Sequence, residues 1–133
     1  MIRKKLKAVW YRLFSQSKLR KMDRNLSYVY KDISIDLIPS VFHPKYFVSS
    51  QLLLEFVEKT ELNGKTFIEI GSGSGITSLR ATQKGAQVWA IDINSESTDL
   101  LKQNASKNDL ELTIVVSDLL DNVEKISWDY ILI

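Results

Sequence analysis

The sequence predicts an α/β protein built on a mainly parallel sheet, and three observations carry that reading. From residue 66 onward, short apolar runs alternate with stretches of helical periodicity. The runs "TFIEI" (66–70), "QVWAID" (87–92), "LTIVV" (112–116) and "DYILI" (129–133) are nearly continuous in apolar residues. Strands read this way when helices cover both faces of a parallel sheet. The first run ends in a glycine-rich turn, "GSGSG" (71–75), which leads into a helix-like segment. Joined by right-handed crossovers, these units make a Rossmann-like, doubly wound layer of about four core strands.

Taken in order, the chain begins with a basic arm. Residues 1–24 hold nine Lys and Arg against one acid, Asp23, whereas the remainder carries nine cations and fifteen acids. Ile2, Leu6, Val9/Trp10 and Leu13/Phe14 recur at helical spacing, so residues 1–27 are expected to form a basic amphipathic helix ahead of a domain spanning 28–133. Its apolar stripe can pack on the domain while the charges face water. Alternatively, the same charges suit an RNA, ribosomal or acidic surface. From Tyr28 to Ile38 the pattern alternates, with Ile33, Ile35 and Leu37 on one side, as in a strand or hairpin with one buried face. Two prolines break regularity in "PSVFHPKYF". A helix then runs to about Lys59, with Ser49 or Ser50 as its N-cap and Leu53, Leu54 and Val57 turned inward. "NG" (63–64) makes a turn. Further helices are expected from Ile76 to about Lys84 and from Ser95 to about Lys107, with a short helical connection over 119–125.

Composition narrows the function classes. The chain has 133 residues, enough for one domain, and no cysteine, which excludes disulfides and thiolate metal sites. No apolar run reaches the roughly 18–20 residues of a membrane span, and the basic N-terminus lacks the apolar core of a secretory signal. A cytoplasmic location is the expectation. No cluster points to a bound metal.

In a doubly wound sheet, ligands bind beyond the carboxyl ends of the strands, where the strand order reverses. Gly71, Gly73 and Gly75 allow positive φ there and let a ligand approach the backbone closely. Their spacing is G-x-G-x-G, one residue shorter than the dinucleotide fingerprint G-x-G-x-x-G, and no P-loop lysine follows. Glu69, two positions before the first glycine, would repel a pyrophosphate but favour an ammonium or sulfonium group. The turn with Glu69 thus selects a cationic nucleoside ligand, for which S-adenosylmethionine fits. Asp92 ends the second strand of the layer, 21 positions after Gly71, where an acid accepts from both ribose hydroxyls. Its alternative role is a helix cap, a task open to Asn94 and Ser95. Asp118, past the next strand, is placed to accept from an adenine amine, or else to cap 119–125.

"FIEIGSGSG", "AIDIN", "SDLLD" and "WDYILI" resemble the successive motifs of class I S-adenosylmethionine-dependent methyltransferases. "IPSVFHPKYFVSSQLLLEFV" resembles the lead-in of the subgroup that holds release-factor glutamine methyltransferases and small-domain rRNA methyltransferases. The resemblance covers about residues 28–133. It implies that Gly71, Gly73 and Gly75 line the methionine portion of the cofactor, Asp92 holds the ribose and Asp118 the adenine, with Glu69, Ile93 and Leu119 counted among the cofactor-binding residues. Phe42, Pro44 and Ser50 would border the pocket. The only histidine, His43, is read as packing or surface, because methyl transfer to a nitrogen needs orientation and desolvation more than a strong base.

In that subgroup the strand resembled by "WDYILI" runs into Asn/Asp-Pro-Pro-Tyr/Phe, which orients the target nitrogen. This sequence stops before it, so a truncated, inactive cofactor half is expected, with no catalytic residue of its own. Its last strand, ending in Tyr-Ile-Leu-Ile, would be an apolar sheet edge prone to self-association. The resemblance thus implies N-methylation of a protein glutamine or nucleic-acid base in the complete form. A non-catalytic S-adenosylmethionine-binding or interaction module is the alternative, and an NAD-binding domain a third reading, opposed by Glu69 and the glycine spacing.

Overall fold

A computed structural model describes residues 26–133. The basic helix expected at 1–27 therefore lies almost wholly outside the described residues. Two strands, β1 (Leu26–Tyr30) and β2 (Ile33–Leu37), form an antiparallel hairpin in which Leu26 faces Leu37 and Tyr30 faces Ile33. Lys31, at its two-residue tip, adopts φ 53°. Ile33, Ile35 and Leu37 are buried, as the alternation predicts.

A 3-10 turn (Pro44–Tyr46) leads into helix α1 (Val48–Lys59). Here the serine N-cap expectation fails. Proline presets the turn, Phe47 is left extended (φ −116°, ψ 121°), and the helix starts directly behind it with Ser49 and Ser50 already inside. The entry is held by the Gln51 side-chain amide, which donates to the Lys45 carbonyl at 2.8 Å. At the other end, Lys84 Nζ donates to the carbonyls of Val57, Glu58 and Thr60 at 2.7–2.8 Å, satisfying groups that a helix terminus leaves unpaired.

The remaining elements are β3 (Thr66–Ile70), α2 (Ile76–Gln83), β4 (Gln87–Asp92), α3 (Ser95–Lys107), β5 (Thr113–Val116) and β6 (Tyr130–Leu132). β3, β4 and α3 have the bounds the sequence predicts. The four strands are parallel in the order β5-β4-β3-β6, with Phe67 level with Val88 on one side and Tyr130 on the other. β3, β4 and β5 step outward in one direction, and β6 returns to the opposite side of β3. The strand order therefore reverses beside the carboxyl end of β3, where the glycine turn begins.

The three described helices pack on one sheet face. Leu54, Ile76, Leu79, Leu101 and Ala105 enclose Ala90 together with the buried hairpin residues, and Val57, Leu62 and Ala81 pack with Phe67, Val88 and Leu132. Arg80 clamps α2 to α1 through two bonds to Glu58 (2.6 and 3.1 Å), which hold that carboxyl down at about 2. On the opposite face Trp89 meets Trp128 edge to face, 4.7 Å between ring centroids. The helix expected over 119–125 is absent. Two successive turns replace it, with Asp121 N–H donating to the Asp118 carbonyl and Val123 N–H to that of Leu120. Leu119 is left-handed there (φ 48°), which an α-helix does not accept. β6 ends the described sheet and leaves Ile131 half-exposed.

Candidate functional site

The site is built on the loop 71–75, between β3 and α2. Gly71 N–H and Ser72 N–H both donate to the Ile91 carbonyl (2.8 and 2.9 Å), so the chain leaves β3 pinned to β4. Gly75 N–H then closes a turn on the Ser72 carbonyl at 2.8 Å. All three glycines have positive φ, of 77°, 50° and 77°. Their surroundings differ. A Cβ on Gly71 would meet nothing within 4 Å, and one on Gly73 only Val41 Cγ1 at 3.8 Å and the Gly71 carbonyl. At Gly75 it would lie 1.9 Å from Leu101 Cδ1. The first two glycines keep an open cradle clear. The third lets α2 sit directly on α3. Within the same loop, the buried Ser72 hydroxyl is the one buried side-chain polar atom among the described residues with no hydrogen-bond partner. A buried hydroxyl without a partner costs about 1–3 kcal/mol.

Beneath the loop, Glu69 is 4% exposed. Its carboxylate accepts from the hydroxyl of Ser78, in the first turn of α2, at 2.5 Å. Burial nevertheless pushes its pKa up from 4.5 to about 7, and the negative charge of Asp92 adds to the shift. Glu69 thus puts a titratable negative charge directly under the cradle, where the N-terminal end of α2 partly compensates it.

Asp92 bridges two segments of the rim. Its Oδ2 accepts from Gly73 N–H and its Oδ1 from Asn94 N–H, both at 2.9 Å. The helix-cap alternative for Asp92 falls to Asn94, whose Oδ1 accepts from Glu96 N–H and caps α3. Beyond β5, Ser117 N–H donates to the Asp92 carbonyl at 3.1 Å, and the Ser117 hydroxyl accepts from Asn122 N–H at 3.0 Å. With no helix over 119–125 there is no N-terminus for Asp118 to cap, and Asp118 is exposed. Ile93 and Leu119 are 67% and 61% exposed and stand at the ends of neighbouring strands. The strained φ of Leu119 costs about 1–2 kcal/mol and holds the chain's sharp exit from β5.

The lead-in reaches the same rim through Val41. Phe42 is exposed and stacks obliquely on Phe47, 4.6 Å between centroids, while Pro44 is buried and Ser50 half-buried. His43 fills a packing role. Its Nδ1 accepts from Lys45 N–H at 3.2 Å to cap the 3-10 turn, and its ring lies 5.3 Å from Tyr28 and 4.6 Å from Tyr46. Burial lowers its pKa and favours the neutral ring. The sequence reading overlooked Ser72, Thr77, Ser78, Leu101 and Asn104 as parts of this region. Only the i, i+4 pair Asn104–Asn108 offered a signal, as one asparagine inside a helix that propensity disfavours and another at its C-cap.

Among the described residues, no helix is long and apolar enough to cross a membrane, and no group of His, Asp or Glu could hold a metal ion.

Comparison with known proteins agrees with this architecture. The chain is 33% identical over 94 residues to the ribosomal protein L11 methyltransferase of Thermotoga petrophila, covering 69% of this chain and 36% of that one. It is 35% identical over 92 residues to a putative protein N5-glutamine methyltransferase of Methanocaldococcus jannaschii, covering 68% and 45%. The chain thus spans less than half the length of these relatives. Among solved structures, the 16S rRNA N2 G1207 methyltransferase of T. thermophilus, in complex with AdoMet and guanosine, superposes with a TM-score of 0.71 at 23% identity, covering 81% of this chain and 31% of that one. The tRNA (uracil-54, C5)-methyltransferase of Pyrococcus abyssi, in complex with S-adenosyl-L-homocysteine, gives 0.65 at 17%, covering 80% and 27%. These two establish the likeness of fold. The model of the methyltransferase small domain matches residues 33–133, and the chain belongs to that family.

Proposed function

We propose that this domain binds S-adenosylmethionine in the cradle at the carboxyl ends of β3, β4 and β5, as the cofactor portion of an N-methyltransferase. The carrying observation is the open cradle itself, in which Gly71 faces free space and Gly73 meets only Val41 and the Gly71 carbonyl, in a loop that follows directly on buried Glu69. The residues present fit the group. Glu69 supplies negative charge beneath the positively charged methionine end, and Gly71, Gly73 and Gly75 shape the loop around it. Asp92, with Ile93 beside it, takes the ribose, and Asp118 and Leu119 take the adenine. Exposed Ile93 and Leu119 are apolar surfaces on which a flat purine gains burial. When bound, the cofactor supplies an electrophilic methyl group; this chain's own residues bind, orient and desolvate it, and none of them is assigned an acid–base step.

Calorimetric titration with S-adenosylhomocysteine, with NADH as the control, tests the reading. Binding of the nucleoside thioether in the micromolar range and none of NADH is the expected result. The reverse would overturn it in favour of a dinucleotide site.

The acceptor of the complete protein is proposed to be a protein glutamine or a nucleic-acid base, following the relatives named above. The basic residues of the N-terminal arm support an RNA or ribosome contact. Transfer of labelled methyl groups to ribosomal protein rather than ribosomal RNA, or the converse, decides the acceptor class. The position of β6 at the end of the described sheet supports self-association through that strand. A monomeric sedimentation profile at tens of micromolar would refute that contact.

A further inference from the structure

Helix α3 approaches β2 in an unusual way. Asn104 Oδ1 accepts from Asp36 N–H at 2.8 Å, and Asn104 Nδ2 donates to the Asp36 carbonyl at 3.0 Å. One turn later Asn108 does the same to Ser34, at 2.9 and 2.7 Å. Two carboxamides thus pair with the outer edge of β2 as a neighbouring strand would. The geometry matches because four residues of helix rise about 6 Å, close to the roughly 6.8 Å between alternate residues of a strand. Edge strands need such protection.

The two asparagines differ in one respect. Asn104 is fully buried, and its Nδ2 also faces the Ser74 carbonyl of the glycine loop at 3.4 Å. Asn108 Nδ2 instead turns back to the Asn104 carbonyl at 2.7 Å. Leu101, one turn before Asn104 on the same helix, fills the space under Gly75. Five residues beyond Asp36, Val41 touches the space beside Gly73. The lead-in therefore grips the loop at two points, through Asn104 at Ser74 and through Val41 at Gly73.

We infer that Asn104 is a positioning residue that couples the β1–β2 lead-in to the shape of the glycine loop, and thereby sets cofactor affinity. This rests on the proposed cofactor site. The strength of the inference is that Asn108 is a built-in control, with the same two bonds to β2 and none to the loop.

The test uses the full chain with Asn104→Ala, Asn104→Asp and Asn108→Ala. Melting temperature, S-adenosylhomocysteine affinity and amide hydrogen exchange of Gly71, Ser72 and Gly75 without ligand are measured for each, well below the lowest melting temperature. Both alanine variants are expected to melt lower. Only Asn104→Ala should weaken binding about tenfold and speed loop exchange several-fold, with Asn108→Ala staying within twofold of the parent. Asn104→Asp keeps the acceptor toward Asp36 N–H but loses the amide donor. It should show the same loop phenotype and serves if the alanine variant does not fold. Equal binding and equal loop exchange in the Asn104 and Asn108 variants would overturn the inference and leave Asn104 a structural residue only. If the parent chain binds no S-adenosylhomocysteine, the cofactor reading fails instead. The coupling is then decided by loop exchange alone, which needs no ligand.

Discussion

The rim after β3 and the rim after β5 belong to one crevice but are constructed differently. After β3 every backbone turn is anchored: Gly71 and Ser72 to Ile91, Gly73 to Asp92, and Gly75 to Ser72. Below the loop, Ser78 in the first turn of α2 donates to Glu69 of β3, tying the two elements that the loop joins. After β5 the chain leaves through left-handed Leu119 into two hydrogen-bonded turns, with Leu119 and Leu120 exposed. Hydrogen bonds hold both rims, but only the first is tied at each glycine of its turn. The second presents exposed apolar surface. A charged, flexible ligand end needs fixed dipoles, because reorienting them would cost what binding gains. A flat apolar group needs only area.

The largest expected break of this contrast is at Gly75. Alanine there drives a methyl group into Leu101 in a left-handed conformation, so Gly75→Ala should cost roughly 2–4 kcal/mol. Chemical denaturation would measure it. The same substitution at Gly71, where no atom lies within 4 Å of the added carbon, should cost only the backbone strain, about 1–2 kcal/mol.

Glu69 gives an intermediate effect with a defined sign. Its pKa in the folded chain is raised to about 7 from 4.5, so between those values the folded state holds a proton that the unfolded state has released. Stability contributed by protonated Glu69 is therefore present at pH 4–5 and is lost as pH rises toward 7–8. Glu69→Gln should remove that slope. It should be more stable than the parent at pH 8 by roughly 1–3 kcal/mol and nearly equal at pH 5. If Glu69 also serves a cationic ligand, the same variant should bind S-adenosylmethionine about tenfold more weakly at pH 8 despite its greater stability. Thermal melts and titrations at the two pH values check both halves.

The smallest effect lies on the open rim. Leu119→Gly relieves the left-handed strain and should leave stability within about 1 kcal/mol of the parent. It also removes apolar area from the proposed adenine surface, so affinity should fall several-fold while the melting temperature barely moves. A large loss of stability instead would show that this rim is as preorganised as the other.

Much of this layout is legible in the primary structure, and particular residues show why. Continuous apolar runs have one stable outcome beside helical periodicity, so β3, β4 and α3 are predicted to the residue. The boundaries that sequence missed are set by local competition. Propensity allows a helix at 119–125, but Asn122 donates back across the turn to the Ser117 hydroxyl and the Val116 carbonyl. A serine cap at 49 or 50 is reasonable, yet Pro44 starts the turn early enough to absorb both serines.

By itself the sequence determined the order of strands and helices, the glycine loop at the end of β3, and the acids that flank it. Those follow from nearest-neighbour patterns along the chain. Only the tertiary structure decided which glycines face open space and which faces Leu101, that Ser72 is buried without a partner, and that burial raises the pKa of Glu69 to about 7. It alone revealed that Asn104 holds both β2 and the loop, since that pairing joins residues 68 positions apart. Such properties depend on what packs against a residue in space, and periodicity carries no record of it.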